Sequence, residues 1–109
     1  MKTKTIKLDF SAITNLSEMH EYLKKEFGFP DFYGANVNAL IDCWTSLRFP
    51  EDGMVEITIE DNEVLLLEIK NLPSKSHIIL NHFLIAIQAV NNRYTSKGKL
   101  PCIYLNLDE

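Results

Sequence analysis

The chain has 109 residues, 46% apolar and 24% charged. That composition excludes disorder, collagen and a disulfide scaffold, and fits one globular domain over residues 1–109 with enough material for a real core. Eleven Lys and Arg against fifteen Asp and Glu give a formal net charge of −4, which disfavours direct nucleic-acid binding because phosphate contacts run on clustered cations.

In chain order, Lys4 to Phe10 alternates polar and apolar, with Ile6, Leu8 and Phe10 on one side, and predicts a half-buried strand. Asn15-Leu16-Ser17-Glu18 offers a helix cap, and Leu16, Met19, Leu23 and Phe27 follow at helical spacing until Gly28. Phe29 to Gly34 reads as a loop. A second helix begins near Asn36 and buries Val37, Leu40, Ile41, Trp44 and Leu47, so Asn38, Asp42, Thr45 and Ser46 point the other way. It must end before Pro50.

Met54 to Glu60 alternates cleanly and predicts a second strand with Val55, Ile57 and Ile59 inward. The stretch from Asp61 to Asn71 admits two readings. One is a turn into a strand over Val64 to Ile69. The other, favoured by the Leu-rich composition and by capping residues at both ends, is a short helix. A long helix is expected from Ser74 or Ser76 to about Ser96, closed by Gly98, then a last strand from Leu100 to Leu107. Strands separated by helices imply parallel crossovers and a small α/β sheet.

The basic N-terminal residues lack the run of about 7–15 apolar residues that a signal peptide needs. The greasiest stretch, Ile78 to Val90, is broken by Asn81, His82 and Gln88, and falls short of the roughly 18–20 residues of a spanning helix. A cytoplasmic protein is expected, with Cys43 and Cys102 as reduced, buried thiols. No metal site and no cofactor are expected, because neither Cys-x-x-C nor Cys/His ligand spacing nor a phosphate-cradling glycine loop occurs. His20 falls on a polar helix face and His82 on a greasy one; Asp42 and Cys43 are adjacent and diverge by about 100° on a helix, which disfavours a nucleophile arrangement. Seven acids fall between Glu51 and Glu68 with no Lys or Arg among them, either a solvated face or a field that attracts a basic partner.

The segment from Phe29 to Cys43, with its Pro30-Asp31, Phe32-Tyr33-Gly34, Asn36, Ala39-Leu40 and Asp42-Cys43, resembles the signature of the barstar family, intracellular protein inhibitors of secreted microbial ribonucleases. The likeness is most specific from Leu16 to Leu47. It implies a three-stranded parallel sheet flanked by helices, in the order β-α-α-β-α-α-β, and no enzymatic activity. It also implies that the Tyr33-Gly34 loop and the outer face of the second helix plug a ribonuclease active site. Asp42 then enters the pocket that normally holds a substrate phosphate, with Phe32, Tyr33, Gly34, Asn36, Asn38 and Thr45 around it. Phe32 and Tyr33 are equally readable as loop-packing aromatics, and Gly34 as a place of positive φ or close approach.

Two departures stand out. Asn38 occupies a position where the family commonly carries an acid, and the stretch Asn91-Asn92-Arg93 offers no counterpart to an acid on the last helix. The expected function is therefore a barstar-like immunity protein against a ribonuclease or related toxin. The alternative is an interaction or regulatory module that reuses the fold without inhibiting a nuclease.

Overall fold

The structure, a computed structural model, describes residues 1–73 and 76–108. Each helix begins at a side chain that accepts a hydrogen bond from its first turn. Asn15 caps α1 (Leu16–Phe27), Asn36 caps α2 (Val37–Thr45) and Ser76 caps α3 (His77–Thr95). Gly28, at φ 71°, ends α1 in the left-handed conformation that glycine adopts most readily. Ser74, the other predicted start of α3, lies outside the described residues. Two short 3-10 turns, Ser46–Arg48 and Pro50–Asp52, follow α2.

Strands β1 (Lys2–Asp9), β2 (Glu63–Lys70) and β3 (Ile103–Asp108) form one parallel sheet in the order β1-β2-β3. The α/β class with a three-stranded parallel sheet is as expected. The register sets Ile6 beside Leu67 and Leu8 beside Ile69, and Leu65 and Leu67 beside Ile103 and Leu105. These side chains face the helices and the core. The opposite face carries Thr3, Thr5, Lys7 and Asp9, all exposed, so the sheet is covered by helices on one side only.

The structure corrects two sequence expectations. Residues 62–70, favoured as a helix, contain the central strand. β2 pairs on both edges, and Val64, Leu65, Leu67 and Ile69 are all at most 1% exposed. Val64 and Leu66 place apolar side chains on the open face beside Thr3 and Thr5, so residues 64–67 read as a continuous apolar run, which hides the alternation that marks a strand. Conversely, the segment from Met54 to Glu60 is not a strand, although Val55 and Ile59 are buried as its alternation predicts. Its backbone N–H groups go elsewhere: Glu56 and Ile57 donate to the Phe27 carbonyl at the end of α1, and Ile59 donates to the Leu47 carbonyl. The segment thus satisfies carbonyls that helix ends leave open. The chain order is β-α-α-β-α-β among the described residues, with three strands as expected and one α-helix fewer.

The core is threaded by aromatic contacts. Phe10 meets Phe83 at 5.1 Å, Phe83 meets Trp44 at 5.9 Å, and Trp44 meets Phe27 at 5.6 Å between ring centroids. Phe27 stacks on Phe29 at 5.7 Å, and Phe29 meets Tyr33 at 4.8 Å. This chain of rings runs from the end of β1 through all three helices into the loop before α2. That loop is therefore seated on the rigid interior.

Candidate partner-binding face

The loop between α1 and α2 is built around Tyr33. Burial pushes its phenol pKa well above the usual tyrosine value. The hydroxyl lies 2.6 Å from Nδ1 of His20, which is only 2% exposed. The expectation that His20 sits on a polar helix face is therefore corrected: α1 turns it inward to meet Tyr33. Burial lowers the His20 pKa, with a smaller contribution from the neighbouring His82. Phe32, by contrast, is 76% exposed and makes no aromatic contact. Of the two loop aromatics, one is packing and one is free.

Of the two readings of Gly34, positive φ or close approach, the structure supports the second. The left-handed residue is Ala35, one later, at φ 51°. At Gly34 a Cβ would instead meet Asn36 Nδ2 at 3.3 Å and the Ala39 Cβ at 3.5 Å, so the glycine serves close approach. Asn36 is engaged by its own backbone: its Oδ1 accepts from Ala39 N–H, and its Nδ2 donates to the Gly34 carbonyl. It shapes the entry into α2.

Asn38 and Asp42 both lie exposed on the outer face of α2, one helical turn apart. The opposite face buries Leu40, Cys43 and Trp44. The Asp42 side chain is 62% exposed, as the helical periodicity predicts. It is not unpartnered, however. Arg93, on α3, donates from Nη1 to Asp42 Oδ1 at 3.1 Å and to Thr45 Oγ1 at 3.0 Å. Thr45 in turn donates to the Ile41 carbonyl. Asp42, Thr45 and Arg93 thus form one cluster across α2 and α3, and Arg93 is the member that sequence reasoning did not place there. The pair is half exposed on both sides, so it adds only about 0.2–1 kcal/mol to folding.

Beneath this cluster lies a second unanticipated feature. Arg48 is 7% exposed and lies over the Tyr94 ring, 4.7 Å from its centroid. It donates to four backbone carbonyls: Glu60 at 3.3 Å, Leu100 at 2.8 Å, Glu63 at 2.7 Å and Pro101 at 3.0 Å. Tyr94 donates its hydroxyl to the Thr45 carbonyl. Arg48 therefore ties the end of α2 to the starts of β2 and β3. Asn91 makes a parallel tie from α3, donating to the Ile103 carbonyl and accepting from the Cys102 and Ile103 N–H groups.

Three acids of the run from Glu51 to Glu68 already have partners within the chain. Glu60 pairs with Lys2, Glu63 accepts from the Glu60 N–H, and Asp52 accepts from Ser46 Oγ. Both cysteines are buried and free; burial pushes the Cys43 thiol up to about 11 and the Cys102 thiol up to about 12. Thiols held that far above neutrality are poor nucleophiles. Among the described residues, no group of His, Cys, Asp and Glu is placed to hold a metal ion, and no helix is long and apolar enough to cross a membrane.

Comparison with known proteins gives two findings. A stretch of 42 residues, 38% of this chain, is 40% identical to a protein of Bacillus subtilis (strain 168) named "Putative ribonuclease inhibitor YrdF", and the match spans 46% of that relative's length. The family described as Barstar (barnase inhibitor) matches residues 3–105. That match takes in all three helices and both inter-strand crossovers, and by it the chain belongs to the barstar family.

Proposed function

We propose that this chain is an immunity protein that docks on a ribonuclease or related toxin, occludes its active site and performs no chemistry of its own. The observation that carries this reading is the outward-facing carboxylate of Asp42 beside a loop held rigid by the aromatic core. A nuclease cleft is built to hold phosphate oxygens among cations. A carboxylate presented there accepts the same charge-assisted hydrogen bonds. Phe32 supplies exposed apolar surface, Tyr33 and Gly34 set the contour, Asn36 fixes the angle of α2, and Asn38 and Thr45 offer neutral hydrogen bonding. The partner is a protein, with neither nucleic acid nor membrane contacted directly, and the encounter takes place in the cytoplasm.

A direct test is inhibition. Barnase, the ribonuclease named in the family's description, is assayed for RNA cleavage with increasing amounts of the chain. A stoichiometric loss of cleavage supports the reading. Full cleavage at a large excess, for barnase and for a toxin encoded beside this chain, refutes it. A second reading, a non-inhibitory interaction module, is favoured by one observation: Arg93 already occupies one oxygen of Asp42. It predicts complex formation with a partner whose activity is unchanged.

A further inference from the structure

Next to Asp42, the end of α3 and the turn that follows it enclose a cavity of about 150 Å³ lined by Thr45, Phe49, Arg93, Tyr94, Lys97 and Lys99. Three of the six carry positive charge and none is acidic. The turn geometry places the two lysines. Both the Lys97 and the Lys99 N–H groups donate to the Tyr94 carbonyl at 3.1 Å, and Gly98 between them takes φ 72°. Among the described residues neither lysine is paired with a carboxylate, and Arg93 engages Asp42 and Thr45 through Nη1 alone. Cations at a helix C-terminus also offset the helix dipole. The dipole, however, asks only for charge and does not account for three cations gathered on one cavity with aromatic walls.

We propose that this cavity is the anion-binding half of a bipartite face and receives a carboxylate side chain of the partner protein, while the adjoining Asp42 receives a cation. The inference rests on the reading of this face as a protein-docking surface. Size decides against a metabolite: small-molecule pockets run to about 300–1,000 Å³, and this one holds a side chain. The neighbouring carboxylate of Asp42 decides against a polyanion such as RNA. Arg93 belongs to both halves, touching Asp42 and lining the cavity. An incoming acid draws its guanidinium away from Asp42 and frees that carboxylate for the partner's cation. A cleft that sets a general-base carboxylate beside phosphate-holding cations presents both charges together.

The test uses the isolated chain and a glutamate blocked at both ends (acetyl and N-methylamide), followed by NMR at constant ionic strength. The expected result is saturable shifts at Thr45, Phe49, Arg93 and Lys99, with a Kd of about 1–10 mM. The equally blocked glutamine binds roughly tenfold more weakly or not at all, and the double variant Lys97→Ala/Lys99→Ala loses the response. Both lysines are exposed, so that variant keeps its fold. Equal response to the glutamine probe, shifts spread over Lys24 and Lys25, or an unchanged response in the double variant would overturn the proposal. The ribonuclease assay does not enter this experiment, so either reading can fail alone.

Discussion

Arg48 offers the sharpest test of how the face is held. Replacing it with Met keeps most of the side-chain volume and removes every donor. Three of its four bonds are 3.0 Å or shorter, and all four acceptors are backbone carbonyls at the entrances to β2 and β3. Hydrogen bonds from a charged donor contribute about 1.5–3 kcal/mol each. Against their sum stands the desolvation of a guanidinium that has no carboxylate partner among the described residues. Removing Arg48 leaves those carbonyls without their donor, at about 1–3 kcal/mol for each one that stays out of water. A domain of this size has only about 5–15 kcal/mol in hand. Urea unfolding of Arg48→Met, followed by circular dichroism at neutral pH, should therefore show the midpoint falling by a third or more. Arg48→Lys keeps the charge but lacks the planar fork, and should fall between Met and wild type. A loss below about 1 kcal/mol for Arg48→Met would refute the clamp, because surface-like substitutions cost no more than that.

Other outcomes follow from single residues. Gly28→Ala places a Cβ 2.6 Å from the Glu56 Cβ at φ 71°; left-handed strain alone is about 1–2 kcal/mol, so thermal unfolding should show a loss of at least that size. Phe32→Ala should leave unfolding within about 0.5 kcal/mol of wild type, since the ring is free, yet weaken toxin binding measurably by calorimetry. Cys43 and Cys102 should resist a thiol reagent at neutral pH until the chain is unfolded, since burial shields both and pushes their thiols up to about 11 and about 12. His20 has a folded pKa below its unfolded value of 6.5. The unfolded chain thus binds the extra proton first, and stability is full above that value and lost as pH falls below it. His20→Gln should flatten this acid-side slope in urea titrations below about pH 6.5.

The helices were legible because their signals are local. Asn15, Asn36 and Ser76 sit where caps belong, and the apolar positions repeat at helical spacing. The outward direction of Asp42 followed from the same periodicity. The central strand stayed one of two readings, because the apolar Val64 and Leu66 on the open face fill in the period of two, and its leucines favour a helix when considered alone. Met54 to Glu60 showed the opposite failure. Its alternation tracked burial correctly, but helix-end carbonyls took the N–H groups that a sheet would have used. The partners of Asp42 and Tyr33, namely Arg93 and His20, lie 51 and 13 residues away. No local pattern encodes such pairings. A cation on the last helix where the family has an acid was the one visible sign of Arg93.

The affinity of Asp42→Asn for barnase, by calorimetric titration beside the wild type, tests whether this carboxylate anchors the complex. The substitution keeps the shape and removes the charge. In the free protein the lost ion pair contributes about 1 kcal/mol at most, so the melting curve should barely move. In the complex, removing one partner of a desolvated charge pair costs about 2–5 kcal/mol, a drop in affinity of roughly 30-fold to several-thousand-fold. Wild-type binding with Asp42→Asn within twofold of it would contradict the account.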